Sequence, residues 1–360
     1  MLPYVILLGV PFIIGIVSKK HYINGRTNNA VVSTFFLLFI IILSLRGRLC
    51  GNDTSWYISF FDMAKHMSWA DVLVIDNVLS TSTEPGYLVF QKLLSYILPN
   101  AQCFLAVVAF ASVAPLWWFY KEKSVLPFLT VALFVTVAPF TMYFSGIRQI
   151  LAMAAAVPAF LLARNKKMIW FLAVVALAFL FHRSAFILLL MYPACRFKVT
   201  VKWLWVAIPI ICAVYIFNEP IFSFLLTFIS DYFKSEITET GAYTMLLLLV
   251  LFAVYAYIIP DEAKLDDETL CLRNLLLVSV CIQCFAPLNP LSMRMNYYFL
   301  IFLPVLISRV ATTPKSEYKK VATVSVSVMT VFFVIYFYFN MSQERGLNIY
   351  PYIPFWSETA

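Results

Sequence analysis

Long apolar runs alternate along this chain with short clusters of charged and polar residues. Twelve apolar segments can be traced, at about 2–18, 29–45, 101–119, 125–144, 148–163, 168–182, 184–195, 203–218, 243–259, 275–289, 296–310 and 321–339. The pair 148–163 and 168–182, joined by Arg164-Asn165-Lys166-Lys167, sets the scale. A helix of about 17 residues rises roughly 26 Å, slightly less than a hydrocarbon core of ~30 Å. The pattern predicts an all-α polytopic membrane protein of about 12 transmembrane helices, a single membrane-embedded domain over residues 1–360. No internal repeat, low-complexity linker or soluble domain interrupts it. The N-terminus is apolar, without a basic n-region or a small-residue cleavage site, so a cleaved signal peptide is not expected.

Alternate threading can be checked against the tendency of cytoplasmic loops to collect lysine and arginine. With the N-terminus outside, the inside loops hold 17 of the 26 basic residues. Five of these are arginine (Arg26, Arg164, Arg196, Arg273 and Arg309) and the rest lysine, among them Lys19, Lys20, Lys121, Lys123, Lys166, Lys167, Lys198, Lys202, Lys319 and Lys320. The outside holds Arg46, Arg48, Arg148, Arg183, Arg294 and Arg345 against Lys65, Lys92 and Lys234. Lysine marks one face, while the other keeps arginine, whose planar fork matches phosphate. The segment 184–195 is short enough to be re-entrant, which would reverse everything after it.

The longest loop, 46–100, falls outside and carries two helix starts. Asp53-Thr54-Ser55 reads as an N-cap for an amphipathic stretch with Trp56, Phe60, Phe61 and Met63. Ser82 or Thr83 before Glu84-Pro85 reads as the second, leading into Tyr87, Phe90, Leu93 and Leu94. Both helices are expected to lie in the interface plane. A second outer loop, 219–242, has acidic and aromatic residues that fit another interfacial helix. The inside loop from Asp261 to Arg273 reads as a plain solvated connector, and the outer tail 340–360, with Tyr350, Tyr352, Phe355 and Trp356, as an aromatic belt.

Composition narrows the function. At 62% hydrophobic and 12% charged, the chain carries about half the charge of a soluble protein. Its net charge of +8 is spread through short loops rather than gathered in a stripe, so no nucleic-acid partner is expected. Most of the seven cysteines lie in or beside apolar runs, where cysteine behaves as a small hydrophobe. Cys281-Ile282-Gln283-Cys284 lacks the second pair or the histidines of a zinc site, so no metal is expected there. Neither a P-loop nor a G-x-G-x-x-G is present, so no nucleotide cofactor is expected.

The stretch from Tyr143 to Tyr192 then stands out. If 148–163 and 168–182 cross and return, Arg148, His182 and Arg183 share one face at the membrane boundary. Arginine is costly to insert, about 2.5–3.5 kcal/mol at a helix centre and less near the edge, and topology does not explain this cluster. Several arginines at one face with aromatic neighbours suit a diphosphate headgroup with a sugar above it. Arg148, Arg183, Arg294, Arg46 and Arg48 are the candidates for the diphosphate, with Gln149 and Tyr87 beside them. Glycosyl transfer also needs a base, and His182, Asp53 and Glu84 are the candidates. Each has an ordinary alternative role, a helix-end hydrogen bond for His182 and capping for the two acids.

Four motifs in order carry a resemblance: Arg46-Gly47 with Asp53 and Tyr57, Glu84-Pro85-Gly86-Tyr87, Ser145-Gly146-Ile147-Arg148-Gln149, and Phe181-His182-Arg183-Ser184. Together they resemble the EpsG-type, Wzy-like polysaccharide polymerases, from the second segment to the seventh. Beyond that the likeness is looser, resting on Arg294, Tyr297 and the aromatic tail. Where the family's opening motif often has Thr before the Asp, this chain has Asn52. The resemblance implies a metal-independent glycosyltransferase on the outer face of the bacterial plasma membrane. It would pass a growing glycan from polyprenyl diphosphate to the next lipid-linked repeat unit, alongside a flippase and a chain-length regulator. The alternatives are a transporter or flippase of lipid-linked sugars and a membrane acyltransferase that modifies glycans. The first lacks related halves with broken helices; the second would need an acyl-carrying partner for His182.

Overall fold

Proline and charge decide where the apolar runs break into helices. The computed structural model describes residues 1–17, 26–72, 83–226, 242–343 and 348–357. In chain order its main helices are α1 (Leu2–Val17), α2 (Arg26–Leu45), α3 (Thr54–Ala64), α4 (Pro85–Ile97), α5 (Ala101–Lys123), α6 (Pro127–Thr136) and α7 (Ile147–Arg164). There follow α8 (Met168–Phe181), α9 (Leu204–Ile216), α10 (Asn218–Leu226), α11 (Tyr243–Ile258), α12 (Asp267–Gln283), α13 (Pro290–Leu300), α14 (Leu303–Val310) and α15 (Lys319–Ser342). Among the described residues there is no strand, only two isolated bridges, Arg46 with Pro354 and Pro260 with Pro314. The expectations for Ser82, Arg345 and most of the second outer loop, 227–241, lie outside the described residues.

Pro85, Pro127 and Pro290 each sit in the first turn of a helix, where the missing N–H would have had no intrahelical partner. The run read as one segment at 125–144 is broken: α6 ends at Thr136, and a single turn, Met142–Ser145, follows before Gly146. Among the described residues three helices, α5, α7 and the one from Ser316 to Ser342, are long and apolar enough to cross a membrane. The number rises to five if α9 with α10, bent by 74°, and α13 with α14, bent by 49°, each count as one span. Twelve full spans are not confirmed, since the remaining apolar helices among the described residues have 10–17 residues. The short segment after His182 is an eight-residue 3₁₀ helix, Arg183–Leu190. At about 2.0 Å per residue it covers roughly 16 Å, where an α-helix would cover about 12 Å.

The interior is aromatic. Phe35, Phe36 and Phe39 of α2 pack edge-on or tilted against Phe134, Tyr120 and Tyr143, all buried, which locks α2, α5 and α6 together. Charged residues pair at both ends of the bundle, and α7 reaches from one end to the other. Arg148 and Arg164 stand at its opposite ends, about 24 Å apart along the axis at 1.5 Å per residue.

The Asp261–Arg273 connector differs from the sequence expectation. Its Glu268 is 3% exposed and receives Lys123 Nζ at 3.0 Å from α5, Arg309 Nη1 at 2.6 Å from α14, and Arg164 from α7. Arg273 is fully buried, lies over the Tyr257 ring and donates to the Val199 carbonyl and Glu262. An acidic loop between helices reads as solvated because its cationic partners come from distant helices. Cys195 and Cys271, also at this end, are joined by a disulfide, while Cys281 and Cys284 are free.

Candidate functional site

At the other end of α7 three loops converge, and two glycines permit the approach. Gly51 has φ +96°, and a Cβ there would fall 2.0 Å from the Phe144 carbonyl oxygen. The Thr54 hydroxyl lies 2.8 Å from the Cys50 carbonyl and 3.0 Å from that of Phe144. The Asp53 N–H donates to Ser145 Oγ at 3.3 Å, and the Ser145 hydroxyl faces Asp53 Oδ2 at 3.4 Å. The opening motif of the first loop is thereby pinned to Ser145-Gly146-Ile147-Arg148. Gly86 does the same for the second motif. A Cβ on it would stand 2.7 Å from the Leu180 carbonyl oxygen, so glycine lets α4 lie on the end of α8.

That contact carries Glu84 to Arg148 and Arg183. The Glu84 side chain is 3% exposed; Oε2 accepts from Arg148 Nη1 at 2.7 Å, and Oε1 accepts from the Arg183 N–H at 3.0 Å. Both carboxylate oxygens are thus engaged. Removing one partner of a buried pair like this costs about 3–5 kcal/mol, which is why Glu84 and Arg148 must be considered together. The Tyr57 hydroxyl also hydrogen-bonds to the Arg148 side chain, and the Tyr57 and Tyr87 rings meet edge to face at 5.6 Å.

The helix-end role expected of His182 is met, and the capping expected of the two acids is not. Asp53 and Glu84 occupy N-cap positions of α3 and α4, yet neither makes a side-chain cap bond. His182, at the head of the 3₁₀ segment, does: its Nδ1 accepts from the Ser184 N–H at 3.2 Å. Glu84, Arg148 and Arg294 are the charged groups that act on its imidazole. Asp53 stays exposed, and so does Arg294.

The remaining sequence candidates separate. Gln149 is buried and donates to the Arg294 carbonyl at 2.7 Å, which ties α7 to α13 and steadies Arg294. Arg46 is fully enclosed: Nη1 donates to the Leu43 carbonyl at 2.9 Å, and the guanidinium sits near Tyr352, Cys50 and Tyr57. Arg48 is exposed on the same loop. The tail explains the enclosure of Arg46. Gly47 N–H donates to Ile353, Gly51 N–H to Asn348, and the Tyr352 hydroxyl to the Ile42 carbonyl at 2.8 Å. The tail segment is a strap over the first loop, with Phe355 and Trp356 left exposed. Sequence reasoning did not select Ser145, Ser184 or Tyr298 for the site, although each lies inside or beside a stretch it had singled out. Among the described residues no three His, Cys, Asp or Glu side chains converge as metal ligands would.

The fold and this cluster define a helical membrane protein with a cationic, carboxylate-braced site at one end of its bundle. The EpsG family model matches residues 29–353, and the chain belongs to the EpsG family. The match runs from the second apolar segment into the tail, farther than the four motifs alone. Membership assigns a membrane polysaccharide polymerase or related glycosyltransferase role. No match emerged among curated proteins or solved structures.

Proposed function

We propose that this protein joins polyprenyl-diphosphate-linked oligosaccharide repeat units on the outer face of the bacterial plasma membrane. One observation carries the reading: the charged cluster opens into a large apolar groove. The groove, about 1210 Å³, is lined by Phe179, Leu190, Ile210, Phe222, Ile282 and Phe285, with Glu84, Arg183 and Ser292 along its wall. Its volume exceeds the roughly 300–1,000 Å³ of an ordinary small-molecule pocket. A charged mouth on an apolar channel matches an amphiphile, and an isoprenoid chain carrying a diphosphate is the occupant we assign.

In this reading the diphosphate of the donor lies against Arg148, Arg183 and Arg294, and its isoprenoid tail follows the groove. An acceptor hydroxyl oxygen on the next lipid-linked repeat attacks the donor's anomeric carbon. The bond from that carbon to the diphosphate oxygen breaks, and the departing charge is held by the arginines. The acceptor proton passes to Asp53, the exposed carboxylate whose contact with Ser145 is long. Glu84 keeps Arg148 in place. A flippase would supply the repeat units, and a chain-length regulator would act on the product.

The test is reconstitution of the purified protein in liposomes with a polyprenyl-diphosphate-linked repeat unit, read as a ladder of glycan lengths. Ladders longer than one repeat support the reading. In cells, loss of the gene should leave single repeat units. Repeats accumulating inside would point to a flippase, and full-length unmodified polymer to an acyltransferase; either would overturn the proposal.

A further inference from the structure

Building on that reading, we propose that His182 acts as a hydrogen-bond donor through Nε2 rather than as a base, and that Ser184 and Tyr298 are the residues that position it.

The Nδ1 edge of the ring decides the matter. Ser184 Oγ stands 2.7 Å from Nδ1. A ring carbon would keep an oxygen at about 3.3 Å or beyond, so this distance fixes which edge faces Ser184. The Ser184 backbone N–H points at the same nitrogen from 3.2 Å. A backbone N–H can neither turn around nor accept, so it favours a lone pair on Nδ1, and the Ser184 hydroxyl adds a second donor to the same nitrogen. Behind Ser184, the fully buried Tyr298 hydroxyl is 3.0 Å from Ser184 Oγ. Tyr298 can donate to Ser184 while Ser184 donates to Nδ1, and every hydrogen in the chain then has an acceptor.

A neutral imidazole carries one N–H. With Nδ1 accepting, that hydrogen belongs to Nε2. Taking up a second proton would place N–H at Nδ1, directly against the Ser184 N–H, and would remove the acceptor that caps the 3₁₀ segment. Glu84 favours a charged ring, but its two oxygens already receive Arg148 and the Arg183 N–H. Arg148 and Arg294 oppose the charge. A base must gain a proton, and this ring is built to keep its protonation state. Its Nε2–H suits an oxygen that gains negative charge, such as the diphosphate oxygen released from the anomeric carbon.

Two measurements test this, and one is independent of activity. The chain has three histidines, so solid-state ¹⁵N NMR of histidine-labelled protein can be assigned with His182→Gln. Nδ1 of His182 should be unprotonated and Nε2 protonated throughout about pH 5 to pH 8. In Ser184→Ala and Tyr298→Phe a second tautomer should appear, a change that a role in packing alone would not produce. In the liposome assay, His182→Gln keeps an N–H donor and cannot take up a proton. It should stay within about tenfold of wild type with an unchanged pH profile, while His182→Ala falls by about a hundredfold or more, the scale of losing one such donor. Nδ1 found protonated, or His182→Gln as inactive as His182→Ala, would overturn the proposal. If the wild type makes no polymer, the polymerase reading fails, and the NMR result still decides the state of His182.

Discussion

Replacing Arg148 by lysine separates the fork of the guanidinium from its charge. Nη1 sits 2.7 Å from Glu84 Oε2, and the Tyr57 hydroxyl hydrogen-bonds to the same side chain. A lysine ammonium can keep the pair with Glu84, so the buried carboxylate remains compensated and the variant should insert and fold at normal levels. What lysine cannot do is hold Glu84 and Tyr57 while offering two parallel bonds to a diphosphate. A hydrogen bond to a charged group contributes roughly 1.5–3 kcal/mol. Losing one or two of them at about 2 kcal/mol each, with about 1.4 kcal/mol per factor of ten, lowers polymerisation about 30-fold to about 1000-fold. The assay is the liposome ladder, normalised to the amount of inserted protein. Arg148→Ala is a weaker probe, because it strands Glu84 at a cost of about 3–5 kcal/mol and would lose activity through loss of protein. An Arg148→Lys protein within about threefold of wild type, less than 1 kcal/mol, would refute diphosphate binding by this fork.

Further outcomes follow from the same geometry. Gly86→Ala puts a methyl group 2.7 Å from the Leu180 carbonyl oxygen, and overpacking of this kind costs about 1–3 kcal/mol. It should lower thermal stability in detergent and abolish polymer by drawing Glu84 off Arg148, and a stable, active variant would contradict that. Glu268→Gln leaves Lys123, Arg164 and Arg309 facing one another. It should shorten the half-life in detergent while surviving molecules polymerise at the wild-type rate, and a rate defect without instability would count against a purely structural role. A tag between Lys166 and Met168 should be protected from external reagents and one near Lys65 accessible; labelling at Lys166 would invert the assigned face. Polymerisation should survive EDTA, because arginines neutralise the diphosphate in the proposed reading, and loss restored by magnesium would argue otherwise.

Much of the helix pattern was legible because its signals are local. Pro85 opens α4, as the run Thr83-Glu84-Pro85 predicts. Arg148, His182 and Arg183 were drawn together from segment lengths alone. What resisted reading depends on approach between distant parts of the chain. Gly86 reads as a turn residue, and only contact with Leu180 reveals it as the point where α4 rests on α8. Asp53 and Glu84 stand at cap positions, but Ser145 and Arg148 compete for them, and the competitors are supplied by tertiary packing. Gln149 follows Arg148 in sequence, yet one step along a helix turns a side chain by about 100°, so it faces Arg294's carbonyl instead. The span count is not confirmed for a related reason: a 3₁₀ segment and bent pairs cover distance differently from straight α-helices.

The two ends of α7 use their arginines differently. At the Glu268 end the cations are consumed by carboxylates: Lys123, Arg164 and Arg309 share Glu268, Arg309 also takes Asp266 at 2.6 Å, and Arg273 takes Glu262 at 2.8 Å. That layer is electrostatically closed and holds helices together. At the Glu84 end, among the described residues, Glu84 pairs with Arg148. Among the described residues the side chains of Arg183 and Arg294 meet no carboxylate, and Asp53 meets no cation. Charge at a membrane boundary without a partner is a cost to the folded bundle, smaller than at the centre but still unfavourable. The bundle could have been closed here as it is at Glu268. Leaving it open makes physical sense where charge arrives with a ligand, and on the proposed reading a diphosphate headgroup completes the pairing that Glu268 completes at the opposite end.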